Sequence, residues 1–182
     1  MRTVATLSAA LFAVALVAGS PERAQAQVSL APFVGYNLDA EELHLGSAVQ
    51  FALPVKLGRS QLIASPSFDF YPFIGDGSVG GGEYSASLYM LSFDVLYPIP
   101  AAGAMTPYVG AGLSLIHASI SYDNPSFPSQ SFSGSDTDLG LDLKGGAYFA
   151  TGRARPFAEV VMVMSNGSVL LLRGGVKFAL GK

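Results

Sequence analysis

Most of this chain alternates between two unlike faces, and that alternation limits its folds more than any other feature. Eight segments carry it, at about 28–37, 43–54, 61–72, 84–97, 106–121, 136–150, 156–165 and 168–181. Period two is the period of a β-strand, whose successive side chains point to opposite sides. One parity is apolar throughout: Leu45, Val49 and Phe51; Phe68 and Phe70; Leu91, Phe93 and Val95; Val109, Leu113 and Leu115; Leu139, Leu141 and Leu143; Val160 and Met162; Leu170, Leu172 and Phe178. The opposite parity holds Gly, Ser and Gln together with Asp69, Asp94, Asp142, Lys144, Glu159, Arg173 and Lys177. The charges inside the strands therefore share one face.

That asymmetry bears on which solvent wets which face. A soluble barrel turns its apolar side inward and scatters charge over its exterior. A membrane barrel presents the apolar side to lipid and keeps polar groups in its lumen. An unbroken apolar face, set against small residues and charges of both signs, fits the second case. Segment length agrees, because a tilted strand needs roughly 9–11 residues to cross the hydrocarbon. Backbone groups cannot stay unpaired in lipid, so the sheet has to close. The predicted fold is all-β, an eight-stranded antiparallel up-and-down transmembrane β-barrel over residues 27–182. A soluble periplasmic lipocalin-like carrier is the alternative that shares the alternation.

Residues 1–26 read as an export signal. Arg2 supplies a positive start, Val4 to Ala18 an apolar stretch, and Ala24-Gln25-Ala26 a cleavage site with small residues at the right spacing. This predicts cleavage after Ala26 and residence in the cell outer membrane. Composition removes other classes. There is no cysteine, which excludes disulfides, thiolate catalysis and Cys-based metal sites. Two histidines do not make a histidine-rich metal centre, and 10 basic residues against 13 acidic ones leave no basic face for nucleic acid. No cofactor is expected.

The connections sort by charge. Inner turns at 54–60, 98–107 and 150–156 carry Lys56, Arg59, Arg153 and Arg155 and no acid. Outer connections hold Asp39, Glu41, Glu42, Asp76, Glu83, Asp123, Asp136 and Asp138 and no base. Dropping or adding one strand would scramble this sorting. Residues 75–82 and 122–135, rich in Gly, Ser, Pro and Asn, read as solvated loops.

With Pro32-Phe33-Val34-Gly35-Tyr36 in the first strand and Pro107-Tyr108-Val109-Gly110-Ala111-Gly112-Leu113 entering the fifth, the chain resembles the outer-membrane β-barrel domain family of small eight-stranded proteins. The resemblance implies contact with outer-membrane lipid and lipopolysaccharide, and delivery by periplasmic chaperones and barrel-assembly machinery. Two features depart from the pattern. The last aromatic is Phe178, not the final residue, and Trp is absent, so Tyr36, Phe51, Tyr97 and Phe149 must form any interfacial girdle. Pro32 and Pro66 lie inside strands without free edges, which predicts bulges or breaks there.

Three sets of residues carry candidate chemistry. Asp69, Asp94, Asp142, Lys144, Glu159, Arg173 and Lys177 form either a conduction path or a salt-bridge network that plugs the lumen. An eight-stranded interior is only wide enough for side chains, which favours the plug. His117-Ala118-Ser119 places a histidine and a serine on one face, a local resemblance to outer-membrane lipid A deacylases that implies a general base and nucleophile, with Asp138 or Asp136 completing a triad. Ile120 stands where that family tends to carry Asn. The competing reading is an interfacial histidine beside an incidental serine. Asp136 and Asp138 alternate at a spacing able to share a hard cation, but no calcium-loop motif surrounds them. The expected role is structural or adhesive, through loops 38–42, 74–83 and 122–135, and not enzymatic.

Overall fold

The structure, a computed structural model, describes residues 28–72, 77–79, 82–124, 131–149 and 152–180. The predicted signal peptide, Asp76 and the centre of the 122–135 connection lie outside these. Nine strands are present: β1 (Val28–Asn37), β2 (Glu42–Leu57), β3 (Ser60–Phe70), β4 (Gly77–Val79), β5 (Gly82–Pro98), β6 (Met105–Asp123), β7 (Phe132–Phe149), β8 (Ala154–Met164) and β9 (Ser168–Leu180). Each pairs antiparallel with the next, β1 pairs with β9, and β3 pairs with β5. Eight strands thus close a barrel, and β4 is a short flap on the outer end of β5. The predicted fold class stands.

The parities fall as the sequence dictates. Leu45, Phe68, Phe93, Leu113, Leu141, Val160 and Phe178 are all exposed on the barrel's outside. Asp69, Asp94, Asp142 and Arg173 are buried within it. Two apolar clusters also fill the interior. Phe33, Leu96, Tyr108, Tyr148 and Phe157 pack toward the end where the chain termini meet, and Met90, Val161, Val163 and Leu171 pack toward the other. Large side chains fit because glycines stand beside them. A Cβ on Gly35 would overlap the His44 ring, and one on Gly146 would press on the Tyr108 phenol and the Ala158 carbonyl.

Several boundaries differ from the sequence reading. Pro32 and Pro66 produce interruptions without bulges. The β1–β9 ladder skips Ala31 and Pro32, and the β2–β3 ladder skips Ser65 and Pro66, with the register the same on either side. The register shift lies instead between Ala52 and Lys56, around Pro54, where a missing N–H breaks the ladder. The first inner turn is consequently much shorter than 54–60. β2 runs on to Leu57, and Gly58-Arg59 closes a two-residue hairpin with Gly58 at φ 59°, a conformation glycine takes without strain. Arg155 and Lys56 are strand residues, not turn residues.

Strands β5, β6 and β7 outrun their neighbours. The β3–β5 ladder ends at Phe70 opposite Tyr89 and the β7–β8 ladder at Leu141 opposite Met164. β5, β6 and β7 continue pairing to Glu83–Asp123 and Tyr122–Phe132. Stretches expected to be loop are therefore a sheet raised above the barrel rim.

The tight fit at Gly146 makes it a sensitive position. Gly146→Ala is expected to cost about 1–3 kcal/mol, the usual penalty of overpacking a filled interior. Gly145→Ala, where an added Cβ meets nothing within 4 Å, is expected to stay within about 0.5 kcal/mol of the parent. Urea midpoints of the two variants folded into lipid vesicles check this.

Candidate functional site

The lumen holds two ion-pair groups. In the first, Arg173 reaches Asp69 (Nη2 to Oδ1, 2.9 Å) and Glu159 (Nη1 to Oε1, 3.3 Å), and His44 Nε2 lies 3.2 Å from Asp69 Oδ1. The strands impose this meeting. Arg173 is the register partner of Glu159 on β8 and of Gly35 on β1, and Gly35 in turn faces His44 on β2. Because Gly35 lacks a side chain, the guanidinium and the imidazole cross the space it leaves. Arg173 also lies 4.9 Å over the Phe33 ring, and His44 packs 4.8 Å from Tyr71. The Tyr108 hydroxyl donates to Glu159 Oε2 at 2.9 Å.

In the second group Lys144 Nζ meets Asp94 Oδ2 at 2.6 Å, and the Ser114 hydroxyl donates to Asp142 Oδ1 at 2.8 Å. The side chains of Arg173 and Asp69 are both 0% exposed. Charges so far from water are tolerated only when paired and hydrogen-bonded. Of the seven lumen residues read from sequence, six join these two groups. Lys177 stands apart, near the end of the barrel where the chain termini meet, 4.8 Å over the Tyr148 ring. Sequence reasoning passed over His44, Tyr108, Tyr148 and Gln50. The signal was there, since all four share the inward parity, and Tyr148 donates to Gln50 Oε1 at 2.9 Å.

Outside the barrel, the paired rows of β5, β6 and β7 change character in sequence. Phe93–Leu113–Leu141 and Leu91–Leu115–Leu139 are apolar. Tyr89–His117–Thr137 follows, then Ser87–Ser119–Ser135 and Ser85–Ser121–Ser133. Hydroxyl pairs tie the serine rows together, Ser87 to Ser119 at 2.8 Å and Ser85 to Ser121 at 2.7 Å. On the opposite side of the same strands the polarity inverts, with Leu88 beside Ala118 and Ala86 beside Ile120.

His117 thus occupies the row where the apolar surface ends. Its ring stacks on Tyr89 at 5.6 Å and its Nδ1 lies 2.8 Å from Thr137 Oγ1. Ser119 shares its face, but the Ser119 hydroxyl is engaged by Ser87. Asp138 does not join them. It is the register partner of Ile116 on the inward parity and accepts from Asn166 Nδ2 at 2.7 Å. Asp136 has the same inward parity. The nitrogen that a triad carboxylate would orient faces a threonine. Among the described residues no group of three or more His, Asp or Glu converges as a metal site would need.

No family model and no curated protein sequence matches this chain. Solved structures do. The N-terminal β-barrel domain of Pseudomonas aeruginosa OprF superposes with a TM-score of 0.59 at 18% identity, covering 86% of this chain and 100% of that one. A major outer membrane protein from Thermus thermophilus gives 0.60 at 15% identity, covering 84% and 99%. The outer membrane enzyme PagL gives 0.52 at 12% identity, covering 84% and 99%. At such identities the likeness is one of architecture, and the architecture is that of the small outer-membrane β-barrels.

Proposed function

We propose that this protein is an integral outer-membrane barrel with a structural or surface-contact role, its lumen closed by the charge network and its raised sheet turned to the cell exterior. The observation that carries the reading is the run of cross-strand rows on β5, β6 and β7. Side chains facing the same way are Phe and Leu through two rows, Tyr and His in one, and Ser in the last two. Water gives no reason for that change along one face, whereas a hydrocarbon boundary at Tyr89–His117–Thr137 does. Below it, residues 105–115 of β6 give the length a tilted strand needs. A soluble carrier would leave Leu139 63% exposed and Phe93 54% exposed to water along with the rest of the belt, an area far beyond ordinary surface patches.

Closure of the lumen is supported by the two apolar clusters at its ends and by the pairing of its buried charges. Surface contact is supported by the acidic outer end, where Asp39, Glu41, Glu42, Glu83, Asp123, Asp136 and Asp138 gather. A hydrolase role for His117 and Ser119 finds no carboxylate on their face, and we read the pair as interfacial.

The membrane placement is checked by two substitutions. Ala111→Arg, midway between Met105 and His117 on the outer face, is expected to destabilise the folded barrel in vesicles by about 2–4 kcal/mol. Ser121→Arg, in the upper serine row, is expected to change stability by less than about 0.5 kcal/mol. Recovery of the parent protein in the soluble periplasm would overturn the reading directly.

Two further outcomes follow for the lumen and the surface pair. Arg173→Met leaves Asp69 and Glu159 without their shared cation, and a loss of about 3–5 kcal/mol is expected from urea unfolding. The parent barrel is expected to give no steady current in planar bilayers. Mass spectra of lipid A from cells with the parent protein or with His117→Ala and Ser119→Ala are expected to be identical. A deacylated species present only with the parent would restore the enzyme.

A further inference from the structure

At the end of the barrel where β1 begins and β9 finishes, a cavity of about 230 Å³ opens between Ser29, Gln50, Arg153, Arg155 and Lys177. Arg155 and Lys177 are register partners on β8 and β9, which brings their Cβ atoms within about 4.5–5.5 Å. Both lie over the Tyr148 ring, at 5.0 and 4.8 Å from its centre. Elsewhere in the lumen each cation meets an acid, Arg173 with Asp69 and Glu159, Lys144 with Asp94. Here cation faces cation. No Asp or Glu is among the described residues lining the cavity, and the nearest acid along β8, Glu159, is engaged by Tyr108 and Arg173. Like charges directly opposed across strands destabilise a sheet, and partial burial raises that cost.

We propose that this cavity is a binding site for a phosphate-class oxyanion. A multiply charged oxyanion satisfies two opposed cations at once, which a neutral ligand or a single carboxylate does not. The guanidinium supplies a planar fork suited to phosphate oxygens and the ammonium a compact point charge. The Thr106 hydroxyl, accepting from Arg155 Nη2 at 2.9 Å, holds the guanidinium in place, and the Tyr148 ring supports both cations from below. The volume exceeds that of several waters, at about 30 Å³ each, and falls below the usual range for drug-sized ligands, about 300–1,000 Å³. A phosphate or small phosphoryl group fits that interval. It reaches the site either from solution at this mouth or as the headgroup of a lipid at the rim.

The test uses the folded full chain in octyl glucoside, a detergent without phosphate, at constant sodium chloride. Inorganic phosphate and dihexanoyl phosphatidylglycerol are titrated separately by calorimetry into the parent and into Lys177→Gln, Arg155→Gln, Lys177→Arg and Arg59→Gln. Saturable binding of at least one of the two is expected. Each Gln variant at 155 or 177 is expected to weaken it about tenfold or more, while Lys177→Arg and the turn variant Arg59→Gln stay within about twofold. Binding of both ligands assigns recognition to the phosphate group alone, and binding of the lipid alone assigns it to a headgroup. Either outcome supports the site. Thermal unfolding gives a second readout. Lys177→Gln, relieved of the opposed charge, is expected to melt above the parent without phosphate and to gain less when phosphate is added. Absence of saturable binding by both ligands, or parent-like affinity in Lys177→Gln and Arg155→Gln, overturns the proposal.

Discussion

A strand in hydrocarbon has nowhere to send its backbone N–H and C=O groups except to another strand. Every other feature of this molecule follows from that constraint. The sheet must close, and once it closes with eight strands the inside is barely wide enough for side chains. Inward positions then cannot all be large. Gly35 beside His44, Gly146 beside Tyr108 and Gly175 beside Phe33 and Phe157 are the places where backbone gives room to a ring. Glycines that look like flexibility in the composition are packing devices here.

A filled interior also dictates how charge is handled. Water cannot solvate Asp69 or Arg173, so each depends on the other and on groups delivered by neighbouring strands. Register decides who meets whom. Arg173 lies opposite Glu159, and the shear of the barrel carries Asp69 and His44 to the same place. Such pairs contribute little net stability against an apolar filling of equal shape, but breaking one is costly. They therefore act as a lock on register. A one-residue slip would bring Leu and Phe inside and expose every one of these charges to lipid. The mouth lined by Arg155 and Lys177 departs from this balance, which is why it stands out as a place for an anion from outside the chain.

The parity of the sequence carried almost all of the architecture, because hydrocarbon outside and side chains inside impose a uniform rule on each barrel strand. Where that rule changes, sequence reasoning lost its footing. The serine rows at 85–87, 119–121 and 133–135 keep period two but reverse polarity, so a reader tuned to apolar-out strands ends β6 near 121 and starts β7 near 136. Pro54 lies at a bulge that pattern alone does not separate from a turn, whereas Pro32 and Pro66 are tolerated by skipping ladder pairs. Within the lumen the charged residues were legible because charge is conspicuous on an otherwise small-residue face. His44, Tyr108 and Tyr148 were not, since an aromatic reads as readily for lipid as for core unless its parity is counted. Asp138 is the reverse error. Its distance in sequence from His117 suited a triad, yet alternation on β7 turns it to the other side.

The inversion on the raised sheet is itself informative about what the outer end is built to do. Once β5, β6 and β7 pass the rim they lose β3 and β8 as neighbours, and a narrow ribbon standing alone is ordinarily marginal. Three features sustain it. Cross-strand hydroxyl pairs join Ser85 to Ser121 and Ser87 to Ser119. The Tyr122 and Phe132 rings stack at 5.6 Å near its tip. The side over the barrel mouth carries Ala86, Leu88, Ala118 and Ile120, giving it an apolar face where the barrel below has a polar one. The outward face, meanwhile, is uncharged hydroxyl, while acids gather along the inward parity and the turns at Asp39, Asp136 and Asp138. A ribbon held stiff by its own side chains keeps these acids at fixed positions above the membrane, and fixed charge is what distinguishes a contact surface from a solvated loop.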